Sequence, residues 1–399
     1  MIVRLLNILR QNLSFFVLAL SSFSFFILNI ILKDNLSPDD YGLFSIFISY
    51  ISLLSSFGMF GFEQTLLRTS KIKSKLEIEK EIILPALLSI FLSSIIGTFL
   101  MLSNYDINMS FLFFCLLSFI AITTKLLYNL FRLLSRYILS QITLNFWKIL
   151  LTIIVCSTYV IHYKFTIDFI FNIVLLLFAI SLLFAFFLYK KIDLTNTIKT
   201  TLLLRKSFLF FIALLTISLL GYGDRFFIES RFGLATLGDY FFYLNVFLFP
   251  FSLFQTYIGF KEIVTFKKSY SISILNKKIS SVFKYSFFFS CVLFFIIYMV
   301  EFLGFYNMNM LSNLDIILPL ILLGNIKIIY SLLSSAIGAI SDDNMLLRVN
   351  LKSIISLLII CPLIYFYSFN LLLTIIFIII LWVFRCIIWY YQLIKQTQL

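Results

Sequence analysis

The stretch 110–130, SFLFFCLLSFIAITTKLLYNL, is long and apolar enough to cross a bilayer as a helix, and Lys125 is its only charged residue. A hydrocarbon core of about 30 Å needs about 20 such residues. A spanning segment must satisfy its own backbone or belong to a closed barrel, and runs without alternation indicate helices. Eleven similar stretches bring the predicted number of transmembrane helices to twelve: 13–32, 42–61, 82–103, 138–161, 167–189, 207–223, 239–260, 285–305, 315–337, 345–366 and 370–392.

The composition supports the same fold class, an all-α integral membrane protein. Hydrophobic residues make up 62% of the chain and charged residues 12%, whereas a soluble domain has about 25% charged residues. No polar stretch is long enough to form a separate soluble catalytic domain. Lipid is therefore expected to be the main solvent of this chain.

The Lys and Arg residues crowd into every second gap between the apolar stretches. Twenty-three of the 31 lie at the N-terminus or after even-numbered stretches, and four lie on the other side: Lys33, Lys164, Arg225 and Arg231. Basic residues concentrate in cytoplasmic loops, so both termini are predicted to be cytoplasmic. The net charge of +13 then belongs to the cytoplasmic rim, and nucleic acid is not an expected partner.

The two halves of the chain resemble each other weakly. The segment Lys125-Leu-Leu-Tyr-Asn-Leu in the fourth stretch matches Lys327-Ile-Ile-Tyr-Ser-Leu in the tenth, and Tyr41 and Tyr240 open the second and eighth stretches. Because the matching segments are six helices apart, they cross the membrane in the same direction. This predicts parallel repeats related by an axis along the membrane normal. We expect six-helix bundles at 1–200 and 201–399, with a central cavity between them.

Four basic residues lie inside the apolar stretches: Lys125, Lys148, Lys327 and Arg385. A cation at mid-membrane costs at least about 2.5–3.5 kcal/mol, and no acidic residue is expected at the same depth. Facing an inner cavity, these four side chains would bind an anionic ligand such as a phosphate or pyrophosphate group. The alternative is that their long stems extend to the interface and keep the charges in water.

Two further groups of charged residues are candidates for a gate or an ion-coupling site. Asp224 and Arg225 lie near the outer end of the seventh stretch, where ordinary helix-end charges are the alternative interpretation. Glu63 and Arg68 flank the inner end of the second stretch, where the alternative is a solvated rim.

No motif of a soluble enzyme is present. The chain has no phosphate-binding Gly-rich loop, and its single histidine, His162, cannot build an ordinary zinc site. The five cysteines lie within apolar stretches without CxxC spacing and are interpreted as small core residues. We therefore predict no catalytic residues, no metal and no cofactor.

The segments Leu36-Ser-Pro-Asp-Asp-Tyr-Gly-Leu-Phe-Ser and Phe57-Gly-Met-Phe-Gly-Phe-Glu, followed by Arg68, resemble the start of Wzx-type flippases of the multidrug/oligosaccharidyl-lipid/polysaccharide exporter superfamily. Asp224-Arg225, Gly233 and Leu237-Gly-Asp-Tyr resemble the corresponding second-half segment. The resemblance implies a transporter of the bacterial inner membrane that moves O-antigen or capsule units on undecaprenyl pyrophosphate by alternating access. It also implies that the four cations within the spans meet the pyrophosphate, and that a polymerase and a chain-length regulator of lipopolysaccharide biosynthesis are possible partners.

Three alternatives were weighed against this interpretation. A polysaccharide polymerase would need a large periplasmic loop with basic residues, but all outer loops here are short. A polyprenyl-phosphate-sugar glycosyltransferase would need an acidic pair on a long first outer loop, whereas Asp39-Asp40 lie on a short one. A drug or cation antiporter would need acidic residues at mid-depth. The sequence does not identify the sugars carried or the coupling ion.

Overall fold

The computed structural model describes residues 2–72, 75–161, 165–188, 191–195, 200–304, 311–341 and 343–397. His162 and Lys164 lie outside these ranges. The described chain is almost entirely helical, as predicted. Its helices are α1 Ile2–Asn35, α2 Pro38–Phe57, α3 Phe62–Thr69, α4 Lys80–Asn104, α5 Phe111–Leu133, α6 Tyr137–Val160, α7 Ile167–Leu182, α8 Thr200–Tyr243, α9 Phe249–Lys268, α10 Ile272–Phe302, α11 Leu314–Ile340, α12 Asp343–Tyr367 and α13 Leu371–Thr397.

Eleven stretches among the described residues are long and apolar enough to cross a membrane. They account for the twelve predicted spans because the seventh and eighth fall in one 60-residue stretch, Thr200–Gly259. The loop predicted between these two spans is helical instead, except at Gly233, whose φ of 85° and ψ of 170° are not helical. Glycine tolerates this backbone conformation because it has no Cβ atom. The chain is thus a multi-pass membrane protein.

Local sequence signals explain where several helices begin. Ser37 caps α2 by accepting a hydrogen bond from the backbone N–H of Asp40, and Pro38 occupies the first turn. Ser110 and Thr166 cap α5 and α7 in the same way. Such side chains satisfy backbone donors that have no partner within the helix. These caps set the helix starts at the ends of the short outer loops.

The chain divides into two compact units, Met1–Glu229 and Ser230–Leu399, called here the N-terminal and C-terminal units. The division predicted from sequence falls earlier, after residue 200. The first part of α8 belongs to the N-terminal unit, where Ser207 shares a hydrogen bond of 2.7 Å with Thr65 of α3.

In the N-terminal unit, α5 is the central helix and contacts α2, α4, α6 and α7, while α1 packs along α6. Its core is aromatic: the Phe47 ring lies 4.2 Å from that of Phe171 and 6.0 Å from that of Phe114. Hydroxyl groups hold neighbouring helices together, as where Thr152 donates to the backbone oxygen of Ser24 at 2.9 Å.

A small sheet that the sequence analysis did not predict follows α3. Strand β1 (Lys71–Ile72) pairs antiparallel with β2 (Leu76–Glu79), which pairs parallel with β3 (Ile192–Thr195) from the loop after the sixth span. Leu76 and Ile78 of β2 are buried in an apolar cluster with Phe62, Leu127 and Phe131. The alternating residues at 76–79 were the available signal, because a half-buried strand has period two.

In the C-terminal unit, α11 is the central helix and contacts α9, α10 and α13. Ser331 and Ser335 donate to backbone oxygens of α9, at Gln255 and Gly259. Span four in the first unit and span ten in the second therefore share three equivalent neighbours, the second, third and sixth spans of each half, while α5 contacts the fifth span in addition. This equivalence agrees with the internal repeat that the sequence predicts.

Candidate functional site

Two of the predicted cations lie together in the N-terminal unit. The Nζ atom of Lys125 on α5 lies 4.7 Å from the centre of the Tyr128 ring. The Nζ atom of Lys148 on α6 lies 5.6 Å from the Phe25 ring and donates a hydrogen bond of 3.2 Å to Asn145 Oδ1. The two lysines are carried by neighbouring helices of the same unit, since α5 packs against α6. This pair of half-buried lysines is called here the lysine pair.

Aromatic rings explain how a membrane helix carries these lysines. The negative face of an aromatic ring attracts an ammonium group, by about 2 kcal/mol or more when water is excluded. Lys148 also lies 5.8 Å from the ring of Trp147. The rings lower the free-energy cost of burying the two ammonium groups without neutralising their charge.

Glu63 is buried beside the lysine pair, with 3% of its surface exposed. Its carboxylate accepts hydrogen bonds from Asn129 Nδ2 at 3.0 Å and from Gln64 Nε2 at 3.3 Å. The charges of Lys125 and Arg132 also act on it. The solvated-rim interpretation of Glu63 is therefore wrong, because α3 directs this side chain towards Asn129 of α5, where it is buried.

Burial and the nearby cations act on the pKa of Glu63 in opposite directions. Burial raises the pKa of Glu63 above its usual value, and Lys125 is the main influence that lowers it again. Removal from water disfavours the charged carboxylate, whereas a nearby cation favours it. Glu63 is thus a partial counter-charge for the lysine pair, and its own charge responds to pH.

Arg68, predicted as a companion of Glu63, lies elsewhere on α3. It is exposed, and its guanidinium stacks 4.6 Å from the centre of the Phe210 ring of α8. The structure pairs Glu63 with Asn129 and Gln64 instead.

Arg225, expected at the outer end of a span, is buried in the N-terminal unit with 7% exposure. It donates from Nη1 to Ser49 Oγ of α2 at 2.7 Å, and its guanidinium lies 5.2 Å from the Tyr222 ring. Asp224 accepts a hydrogen bond from the backbone N–H of Arg225. The interpretation as exposed helix-end charge is wrong for Arg225, because α8 continues through the predicted loop. A gating role for Asp224 and Arg225 stays a prediction.

The other two predicted cations lie together in the C-terminal unit. The Nζ atom of Lys327 on α11 lies 5.1 Å from the Trp382 ring of α13. The Arg385 guanidinium lies 5.0 Å from the Tyr330 ring and 5.3 Å from the Trp389 ring. Arg385 is only 2% exposed, which excludes extension of its charge to the interface in this structure. Its burial also differs from the expected position in an open cavity.

The polar and aromatic partners of these charges are not among the residues predicted from the sequence. The aromatic partners carry a spacing signal: Tyr128 follows Lys125 by three positions, and Trp382, Arg385 and Trp389 share one helical face at spacings of three and four. Asn129, which holds Glu63, had no such signal because its partner comes from a distant segment.

Comparison with known proteins indicates the fold. No protein-family model matches the sequence, and no curated protein matches it significantly. An outward-facing multidrug resistance MATE family transporter of the MOP superfamily aligns over 96% of both chains, with a TM-score of 0.56 and 14% identity. A MATE protein in the bent conformation aligns over 98% of this chain and 95% of its own, with a TM-score of 0.57 and 14% identity. A MATE protein in complex with Br-NRF aligns with a TM-score of 0.54 and 14% identity, over 98% of this chain and 95% of its own. The chain therefore has the MATE transporter fold.

Proposed function

We propose that this chain is a flippase that moves an undecaprenyl-pyrophosphate-linked oligosaccharide, an O-antigen or capsule repeat unit, from the cytoplasmic to the periplasmic leaflet of a bacterial inner membrane. The shared fold with MATE proteins supports a transporter that works by alternating access rather than an enzyme. The observation that carries the choice of cargo is the lysine pair inside a membrane unit.

The lysine pair suits a pyrophosphate group. Two like charges held near each other within apolar surroundings are stabilised most by a ligand with several negative charges. An ammonium group is a compact point charge that binds phosphate oxygens without a fixed fork geometry. Lys125 and Lys148 are accordingly the residues assigned to the pyrophosphate, and the aromatic rings beside them provide surfaces for the sugars. The same role for Lys327 of the C-terminal unit stays a separate prediction.

The alternative is a drug or cation antiporter, and buried Glu63 is the observation in its favour. A cation site in a membrane helix bundle requires an acidic side chain with capacity left for the ligand. Glu63 accepts from two amides and lies within the field of Lys125 and Arg132. Because burial raises the pKa of Glu63, its side chain takes up a proton more readily than a surface carboxylate does, and the protonated form does not repel an anion beside the lysine pair. We therefore favour the anionic cargo.

The test uses the full chain in proteoliposomes that contain a fluorescent undecaprenyl-pyrophosphate oligosaccharide. Transfer between leaflets is followed by the loss of fluorescence to an impermeant quencher. We expect transfer to require the chain, and the double variant Lys125→Gln and Lys148→Gln to slow it at least about tenfold, as for loss of charged hydrogen bonds. Lys75→Gln, which removes an exposed lysine of the same unit, is the matched control and should transfer normally.

The competing function is tested with the same vesicles. If the wild-type chain moves an organic cation such as ethidium against a proton gradient but leaves the labelled lipid in place, the chain is an antiporter. In the native host, deletion should cause complete lipid-linked units to accumulate on the cytoplasmic leaflet. Unpolymerised single units at the surface would instead identify a polymerase. The polymerase and chain-length regulator of the same pathway are the partner proteins proposed for a flippase.

A further inference from the structure

Arg385 is buried in the C-terminal unit with unused hydrogen-bonding capacity. It is 2% exposed, and its Nε and Nη1 atoms have no hydrogen-bond partner among the described residues. A guanidinium has five N–H donors and cannot lose its proton in a protein. A permanent charge with unsatisfied donors is therefore held away from water inside a membrane helix bundle.

The nearest aromatic residues have the same deficit. Trp382 and Trp389 are 3% and 7% exposed, and neither indole Nε1 atom has a hydrogen-bond partner among the described residues. Both rings pack edge-on against Tyr330, with centroids at 5.1 and 5.2 Å. The unsatisfied nitrogen atoms of Arg385, Trp382 and Trp389, called here the donor cluster, are all donors, and the Tyr330 hydroxyl beside them is the one oxygen among the unsatisfied atoms of this group. Four donor atoms thus face a single possible acceptor, so the group lacks acceptors.

A protein carboxylate does not supply that acceptor in the described part of the chain, where Arg385 forms no ion pair. The second charged side chain of the region, Lys327 over the Trp382 ring, is also positive. Glu262, an acidic residue of the same unit, is paired with Lys278. Among the described residues, Arg385 thus combines a permanent positive charge with N–H groups that have no acceptor.

We infer that the donor cluster is a binding site for a small inorganic anion, with chloride as the occupant. A single-atom anion accepts several N–H groups at once and balances the guanidinium charge. A pyrophosphate with its sugars is too large for a site in which every donor side chain is at most 7% exposed. The bound anion would make Arg385 a structural cation of the C-terminal unit and leave the more exposed Lys327 to other ligands. This inference does not rest on the proposed transport function.

Two of the three tryptophans of the chain belong to the donor cluster, so fluorescence reports on the site directly. The experiment uses the purified full chain in gluconate buffer and the same chain with Trp147→Phe, which leaves only the two reporters. Bromide is added, because a bound heavy atom quenches an adjacent indole. We expect saturable quenching that chloride reverses by competition. Quenching that rises linearly with bromide, without saturation or competition, would overturn the inference.

Variants separate the donor cluster from other halide contacts. Arg385→Gln should weaken bromide affinity at least about tenfold, since it removes charged hydrogen bonds, and Arg385→Lys should weaken it less. Arg348→Gln, an exposed arginine on α12, is the matched control and should bind as the wild type does. An unchanged affinity in Arg385→Gln would refute the site, as would saturation by inorganic phosphate alone. If Arg385→Gln does not fold, the competition between bromide and chloride in the wild type and the bromide affinity of Arg385→Lys still test the site.

Discussion

Gly61 has no room for a side chain, so Gly61→Ala is expected to destabilise the N-terminal unit. Its φ of 78° lies in the left-handed region, where an alanine costs about 1–2 kcal/mol. A Cβ atom would lie 2.1 Å from the Ser207 carbonyl oxygen and 2.5 Å from the Phe211 nitrogen, both in the backbone of α8. Overpacking of this kind typically costs about 1–3 kcal/mol. The expected loss is therefore about 2–5 kcal/mol.

Thermal unfolding of the purified chain in detergent measures this loss. For a domain of 150–250 residues, 1 kcal/mol corresponds to about 2–4 °C in Tm, so a decrease of at least about 4 °C is expected. Because Glu63 follows Gly61 by two residues on α3, the same variant should also disturb the Glu63–Asn129 hydrogen bond. A lowered rate of lipid transfer should accompany the lowered Tm.

The matched control is Gly221→Ala, in helical backbone of α8 with no atom within 4 Å of its added Cβ. This change should leave Tm unchanged or raise it slightly, because alanine favours helix over glycine. If Gly61→Ala and Gly221→Ala unfold at the same temperature, the close contact of α3 with α8 does not exist as described and the reasoning is refuted.

Three more predictions concern charge and packing. Burial raises the pKa of Glu63, so its contribution to stability is complete below the usual carboxyl pKa and is lost as pH rises through the raised pKa. Over this pH range, Glu63→Gln should become more stable relative to the wild type. A difference in Tm between the two proteins that stays constant from pH 4.5 to 9 would contradict this. Gly324→Ala should cost about 1–3 kcal/mol, since its Cβ would lie 2.7 Å from the ring of buried Phe251, and an unchanged Tm would show that the ring can move. Lys75→Ala should cost at most about 1 kcal/mol, because its ion pair with Asp193 is exposed; a larger loss in chemical unfolding would assign the pair a structural role.

The membrane-spanning helices were predictable because lipid imposes a simple rule on the chain. Length and apolarity alone located every span that the structure shows, and the Lys-x-x-Tyr pair at 125 and 327 located the equivalent central helices α5 and α11. The cations inside the spans were also recognisable, since each interrupts an otherwise apolar run. Local rules thus give the helices and the charges they carry.

The features that the sequence analysis missed depend on contacts between distant segments. The solvated rim is the alternative for Glu63 because this residue follows the predicted inner end of the second span, yet Asn129 of another helix donates a hydrogen bond to its buried carboxylate. Arg225 is predicted at a helix end because it follows the last residue of the seventh predicted span, but α8 continues past it and its guanidinium donates a hydrogen bond to Ser49. Tertiary packing overrides such local signals.

The parallel pairing of β2 with β3 has a consequence for how the chain is made. Leu76–Glu79 cannot complete its ladder until Ile192–Thr195 has been synthesised, and the four spans between them must first enter the bilayer in the correct order. A skipped or inverted span would leave the two strands on opposite sides of the membrane, where they cannot meet. Closure of this small sheet therefore requires that the four spans between its strands bring both strands to the same side of the membrane.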